Sequence, residues 1–308
     1  MIAIGCSITK DDLFDAYAGP SIESIREPDT KILMFPSAGS IFRSYNIVLD
    51  QAAKIEGLDA LVLLHQDAEI VDPEFLDKVR RSLMDPEVAL VGSAGANNVR
   101  SIAWWEGENA RASHTQRFQD FGGGEIPAIR MTGKRPSETD PVGEVDVIDG
   151  VVMALSSWAV RNLRFDESIG GEIHGYDFDL CMQARAAGKK VVTQDFRVVH
   201  HHSLEPVGEV EGWIDTHMKL SRKWNDQLPG AGQPVDWEER ALRAEAELSA
   251  TRLNEGAAAI IWEANVKHLE RDVKGIERSA SWRLTRPLRS LGRLGKSKPD
   301  RRKPDRRD

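Results

Sequence analysis

Three short clusters in this chain combine residue types that do chemistry. His65-Gln66-Asp67-Ala68-Glu69 follows an apolar run at residues 60–64. Asp67 and Glu69 offer hard oxygen atoms of the kind that hold Mg²⁺ or Mn²⁺ against a diphosphate. The same residues also fit a solvated turn, or a cap for a helix starting at Pro73. His174-Gly175-Tyr176-Asp177-Phe178-Asp179-Leu180 opens a helical stretch at 174–187. Carboxylates two apart point in different directions on a helix, so Asp177 and Asp179 are expected to differ in role. The helix dipole favours a first-turn carboxylate and accounts for one of them, whereas a general base needs a fixed, pocket-facing carboxylate. His200-His201-His202 closes the last expected strand. Alternation puts His200 and His202 on one face and His201 on the other. Imidazole ligates Mn²⁺ and similar ions, but a histidine cluster at a strand end is more often a hydrogen-bonded surface feature than a metal site.

The elements that must position these clusters alternate in type. Strands are expected at 2–8, 31–35, 60–64, 88–91, 145–155 and 190–199. Helices are expected at 41–55, capped by Ser40, and at 73–84, 156–163, 174–187 and 209–224. Strands alternating with helices argue for an α/β domain with a mostly parallel sheet. Ligands bind such sheets beyond the carboxyl ends of the strands, where all three clusters are expected to meet. Residues 95–144 read as a long irregular loop holding Trp104-Trp105 and Gly122-Gly123-Gly124. Such a loop is either a lid or binding loop, or a surface insertion with buried tryptophans.

A linker is expected at 228–235, and a helix at 236–277. Ala259, Trp262, Val266, Leu269, Val273 and Ile276 follow a coiled-coil spacing, which fits homodimerisation through 259–276 or packing on the chain's own body. The 31 residues from 278 to 308 carry a net charge of +9, and the remainder carries −17. So acidic a body excludes non-specific nucleic-acid binding, because phosphate is repelled at every approach. Two cysteines, Cys6 and Cys181, exclude a disulfide framework and fit a reducing compartment. No window reaches the ~18 apolar residues of a membrane span, and the N-terminal apolar run is too short for a signal peptide. A cytoplasmic protein is expected.

The order and context of these pieces resemble family 2 glycosyltransferases of the GT-A fold, in the HQD, StrF-type branch. The resemblance covers residues 1–224. It rests on Tyr45-Asn46, Leu63-Leu64-His65-Gln66-Asp67, Asp149-Gly150-Val151-Val152-Met153-Ala154, Phe165-Asp166-Glu167, the 174–181 cluster, Ala186-Ala187-Gly188-Lys189-Lys190-Val191 and Val199-His200. It implies a nucleotide-diphospho-sugar transferase fold and transfer with inversion from a nucleotide-diphosphate sugar to a glycan or lipid-linked acceptor. Asp67 aligns with the metal-holding Asp of the D-x-D motif, and a divalent cation, Mn²⁺ or Mg²⁺, is implied. His65 stands at the first Asp of that motif, where the nucleoside ribose is held. Asp177 aligns with the catalytic base, with Tyr176 in place of the usual Glu. His200, with Glu69, is expected at the metal or diphosphate. Asn46, Asp149, Asp179, Trp104 and Trp105 complete the expected donor and acceptor contacts. Residues 281–294 interleave Arg with Trp and Leu and resemble the endings of bacterial glycosyltransferases with lipid-linked acceptors. This implies a peripheral site on the inner face of the plasma membrane. A nucleotidyltransferase and a catalytically inactive GT-A scaffold are the competing readings.

Overall fold

Most of the apolar runs read from the sequence become strands of one seven-stranded sheet, while parts of the runs at 145–155 and 190–199 enter two smaller sheets. The computed structural model describes residues 1–100, 102–118, 124–170, 173–202, 210–228 and 237–285. They fall into two units, Met1–Gly232 and Gln233–Asp308. The first unit opens with β1 (Ile2–Ile8), α1 (Asp11–Ala16), α2 (Ala18–Ile25), β2 (Lys31–Pro36), α3 (Ile41–Ala52) and β3 (Ala60–Leu64). It continues through β4 (Ala68–Ile70), α4 (Phe75–Ser82), β5 (Val88–Gly92), β6 (Ala94–Asn97), β7 (Glu108–Ala112), β8 (Thr115–Phe118) and β9 (Glu125–Pro127). Then come β10 (Gly143–Val145), β11 (Val147–Ile148), β12 (Val152–Ser156), α5 (Ser157–Asn162), α6 (Tyr176–Ala186), β13 (Lys190–Thr193), β14 (Val198–His202) and α7 (Val210–Lys223).

The main sheet has seven strands in the order β10-β13-β5-β12-β3-β1-β2. β1 pairs in parallel with β2 and β3, and β5 with β13, whereas β12 runs antiparallel to both of its neighbours. The expected α/β class holds, with one correction: the sheet is mixed at its centre. A parallel return needs a crossover helix. Between β5 and β12 the chain instead builds a three-stranded sheet, β11-β6-β7, and lends β8 and β9 to a four-stranded sheet, β4-β14-β8-β9. The segment 95–144 is therefore strand-rich rather than an irregular loop. Its strands are three to five residues long, too short for an alternating pattern to declare itself. The expected strand at 190–199 likewise divides into β13 and β14, which belong to different sheets.

Alternation along the strands sorts the core into two layers. Ile2, Ile4, Val62, Leu64, Val152 and Ala154 pack with Ile22 of α2 and with Phe75 and Val79 of α4. Ala3, Leu61, Leu63, Met153 and Leu155 pack with residues of α3, α5 and α6. Ser40 caps α3 as expected, its Oγ accepting from the Arg43 amide at 3.3 Å.

The second unit contains α8 (Trp237–Arg278), 42 residues long, and α9 (Ala280–Leu284). Leu269, Val273 and Ile276 of the expected seam are 61%, 53% and 55% exposed. Among the described residues no helix is long and apolar enough to cross a membrane. The expected linker beyond Leu228 and the basic segment from 286 onward lie outside the described residues.

Candidate functional site

β3 delivers His65, Gln66 and Asp67 to the edge of the sheet, and the adjoining elements hold them there. The His65 amide donates to the Val151 carbonyl at 3.1 Å. Gln66 ties the turn to the end of β1, its Oε1 accepting from the Thr9 and Lys10 amides at 2.8 and 2.9 Å. β14 lies antiparallel to β4, with His200 opposite Ala68, and the His201 amide donates to the Asp67 carbonyl at 2.8 Å. This pairing brings His200 Nε2 within 3.3 Å of Asp67 Oδ1, while His65 Nδ1 lies 4.0 Å from the same oxygen. One ligand atom from each of His65, Asp67 and His200 fits within a 4.8 Å span. Burial opposes a charge on Asp67, yet the hydrogen-bonded His200 and neighbouring His65 hold its carboxyl well below the usual range. An ionised carboxylate between two imidazoles fits a divalent cation.

Asp177 enters from α6. That helix begins at Gly175, whose φ of +76° is left-handed and whose missing Cβ would lie 2.5 Å from Leu220. Glycine there lets the helix start press against α7. The next residue, Tyr176, is buried, and its hydroxyl lies 2.6 Å from His65 Nε2. A Cβ on Gly150 would sit 2.0 Å from that hydroxyl, so only glycine allows the ring its place. Asp177 keeps part of its surface open while protein encloses its other sides. Burial, and then the negative charge of Asp149, push its pKa up to about 7. Burial first, and then the charges of Asp177, Asp149 and Asp67 among its neighbours, raise the pKa of the Tyr176 hydroxyl.

Asp149 is held by Trp104, whose Nε1 donates to Oδ2 at 2.6 Å, and by the Val151 amide at 2.9 Å on Oδ1. Burial pushes this carboxyl up, but His114, the Val151 amide, His200 and Trp104 together keep it below the usual range. Trp104 is thus a buried support for Asp149 rather than a ligand platform. Trp105 stays half-buried, packed against Trp213 at 5.9 Å, and Trp213 meets His174 at 5.0 Å.

Three expected residues do not join this cluster. Glu69 accepts from His201 Nε2 at 2.8 Å, on the opposite face of β14 from His200, because strand neighbours alternate. Asn46 clamps the turn after α5, exchanging hydrogen bonds with the Phe165 carbonyl and amide at 2.9 and 3.0 Å and reaching Glu167 at 2.9 Å. Asp179 is buried and spent on structure. It accepts from Trp224 Nε1 at 2.8 Å and Gln183 Nε2 at 2.7 Å, and pairs with Lys223 Nζ at 2.8 Å. Asp179→Ala is expected to cost about 2–3 kcal/mol, since it strands the partners of a buried carboxylate. Urea unfolding measures the loss. A weaker cation or donor affinity at unchanged stability would return Asp179 to the binding site.

Residues 15–215 match the glycosyltransferase-like family. The chain belongs to that family. It is 28% identical to the streptomycin biosynthesis protein StrF of Streptomyces griseus over 235 residues, 74% of this chain and 76% of that protein. This likeness supports the StrF-type branch read from the HQD motif. It is 26% identical to the O-antigen biosynthesis protein RfbC of Myxococcus xanthus over 56% of this chain but 13% of that one. GalNAc-T7, solved with UDP, GalNAc and Mn²⁺, shares the GT-A fold at a TM-score of 0.51 and 9% identity, covering 74% of this chain and 48% of that one.

Within this glycosyltransferase-like chain, several supporting residues carried no sequence signal. Tyr17 stacks on His201 with ring centroids 3.6 Å apart, but it lies in a stretch, 9–30, where short helices and Gly19-Pro20 hide any periodicity. His114 is buried and lies 3.0 Å from Ser93 Oγ through Nδ1. As a lone histidine between two short strands it offers no spacing to read. Tyr176 was visible only as a replaced Glu, and its contact with His65 needs a tertiary structure to be seen.

Proposed function

We propose that this chain is an inverting glycosyltransferase that moves a sugar from a nucleotide-diphosphate donor to an acceptor hydroxyl in glycan or glycoconjugate assembly. The reading rests on the link from the Asp67–His200 pair through His65 to the hydroxyl of Tyr176, the chain neighbour of Asp177, whose carboxyl has its pKa pushed up to about 7. A base of that strength is matched to neutral pH, where it accepts a proton while part of the population is already ionised. Asp177 takes the acceptor proton as the acceptor oxygen attacks the anomeric carbon. Asp67 and His200 would hold a divalent cation, Mn²⁺ or Mg²⁺, which would supply charge stabilisation at the leaving diphosphate. The Mn²⁺ bound by GalNAc-T7 supports a cation in this fold. An acidic body needs one, since its own field repels a polyanionic donor. Asp149, fixed by Trp104, faces the donor or acceptor sugar. Trp105, half-buried beside Trp213, is the aromatic residue offered to a sugar ring in this proposal.

The donor class is read directly by thermal shift. UDP-, GDP- or dTDP-sugars with Mn²⁺ are expected to raise the melting temperature, because a ligand that binds the folded chain adds RT ln(1 + [L]/Kd) to its stability. A screen with no stabilising nucleotide sugar would contradict the reading.

The second unit supplies the remaining partners. The exposed Leu269, Val273 and Ile276 form the seam of a homodimer in this proposal, and the basic tail holds the protein at the inner face of the plasma membrane. Deleting residues 278–308 is then expected to abolish co-sedimentation with anionic liposomes, each basic residue at the surface being worth about 1 kcal/mol. Equal binding with and without the tail would defeat the membrane assignment.

A further inference from the structure

His65 divides its two ring nitrogens between two neighbours. Nε2 meets the Tyr176 hydroxyl at 2.6 Å, and Nδ1 faces Asp67 Oδ1 at 4.0 Å, the same oxygen that His200 Nε2 approaches at 3.3 Å. We propose that His65 is a metal ligand through Nδ1 rather than a contact to the donor's ribose. In this proposal Tyr176 is the positioning residue that accepts Nε2–H, and the resulting set of two imidazoles and one carboxylate selects Mn²⁺, Co²⁺ or Zn²⁺ over Mg²⁺. The inference rests on the function proposed above only in taking this crevice to hold a divalent cation.

Geometry comes first. Two donor atoms each about 2.1 Å from one ion lie about 3.0 Å apart at right angles and about 4.2 Å apart in line. The separations of 3.3 and 4.0 Å from Asp67 Oδ1 fall within that range, and a ligand atom from each of the three residues lies within 4.8 Å of the others, so the two imidazoles need only draw slightly together to share one ion. The side chains are also accessible in the right measure. His65 and Asp67 are 26% and 23% exposed and His200 is 7% exposed, so the site is anchored on one side and open on the other.

The tautomer decides whether Nδ1 can ligate. An imidazole nitrogen binds a metal only with its lone pair, so the other nitrogen must carry the proton, and an acceptor beside that nitrogen fixes the tautomer. The Tyr176 hydroxyl oxygen is that acceptor, and it has little freedom to leave. The ring packs edge-on against Phe42 and Tyr45 at 6.2 and 5.7 Å, and Gly150 leaves a gap filled by its hydroxyl. Were Tyr176 the donor instead, Nδ1 would carry a proton and be lost as a ligand.

Donor chemistry then selects the ion. Mg²⁺ prefers oxygen ligands and sheds its water reluctantly, while imidazole favours borderline first-row ions. Two nitrogen donors in three therefore discriminate against Mg²⁺.

The test is direct binding of MnCl₂, CoCl₂ and MgCl₂ to the full chain by titration calorimetry, with the Co²⁺ visible spectrum as a second readout. Mn²⁺ and Co²⁺ are expected to bind about 100-fold more tightly than Mg²⁺. His65→Ala is expected to lower their affinity by about 10–100-fold and to leave Mg²⁺ binding nearly unchanged. His65→Asp is expected to narrow the Mn²⁺-to-Mg²⁺ ratio by about tenfold. Tyr176→Phe is expected to weaken Co²⁺ by about tenfold and to shift its visible bands, because the ring is retained and only the acceptor is lost. Equal affinities for Mn²⁺ and Mg²⁺, or Mn²⁺ binding unaffected by His65→Ala, overturn this inference and leave the proposed function standing. A wild-type chain that binds no cation at all overturns this inference and removes the cation from the proposed mechanism, while the role of Asp177 is tested separately by its Asn variant. Wild-type Co²⁺ affinity in Tyr176→Phe removes the tyrosine from the positioning role.

Discussion

Asp177→Asn is expected to lower sugar transfer by about 10²–10⁴-fold while nucleotide binding stays near that of the wild type. The amide keeps the shape of the side chain and the hydrogen bond from the Phe178 amide to the retained oxygen, but it cannot take a proton. Two further signatures separate this loss from simple damage. The wild-type rate should rise with pH and level off above about 7, as the carboxyl that burial and Asp149 hold protonated becomes ionised. That limb should vanish in the variant. Stability should move the other way. The carboxyl titrates near 3.8 when unfolded and at about 7 when folded, so the wild type loses stability as pH rises between those values. The loss is on the order of 4 kcal/mol. The Asn variant carries no such burden, so its advantage over the wild type should grow from pH 4 to 7 and then stay level. A variant that is slow, more stable and pH-independent identifies a base. One that is slow and less stable at every pH identifies a packing residue.

Removing the cation is the second large effect. EDTA is expected to bring turnover down to background, and added Mn²⁺ is expected to restore it, because a bound cation contributes several kcal/mol of charge stabilisation at a developing diphosphate. Asp67→Asn should reproduce the defect and resist rescue, since Asp67 Oδ1 faces both imidazoles. Full turnover in chelator would remove the metal from the reaction while leaving Asp177 in place. Undiminished activity in Asp67→Asn would show that the pair with His200 is structural.

Much of this site was legible in the sequence because the fold puts local signals at element ends. A run of five apolar residues, Ala60–Leu64, is buried on both sides in the middle of the sheet, and the polar residues next in the chain must emerge at the ligand edge. The alternation that separated His200 from His201 is a property of any strand. It sends His200 to Asp67 and His201 to Glu69. The same local logic failed for Glu69 and Asp179. Both are acidic residues near the site, but their partners, His201 on β14 and Trp224 just beyond α7, come from distant parts of the chain. Asn46 failed similarly, since its partner turn is 119 residues away. The small sheets between β5 and β12 were hidden for a different reason. Strands of three to five residues owe their existence to partners across the sheet rather than to their own pattern.

Product analysis tests the central claim most directly. The 308-residue chain is incubated with Mn²⁺, an acceptor and whichever nucleotide sugar stabilises it, and the released nucleotide is identified for the wild type and for Asp177→Asn. The account predicts free nucleoside diphosphate, formed in step with glycosylated acceptor by the wild type and all but absent with the variant. Pyrophosphate as the product, or equal release by the two proteins, would contradict it.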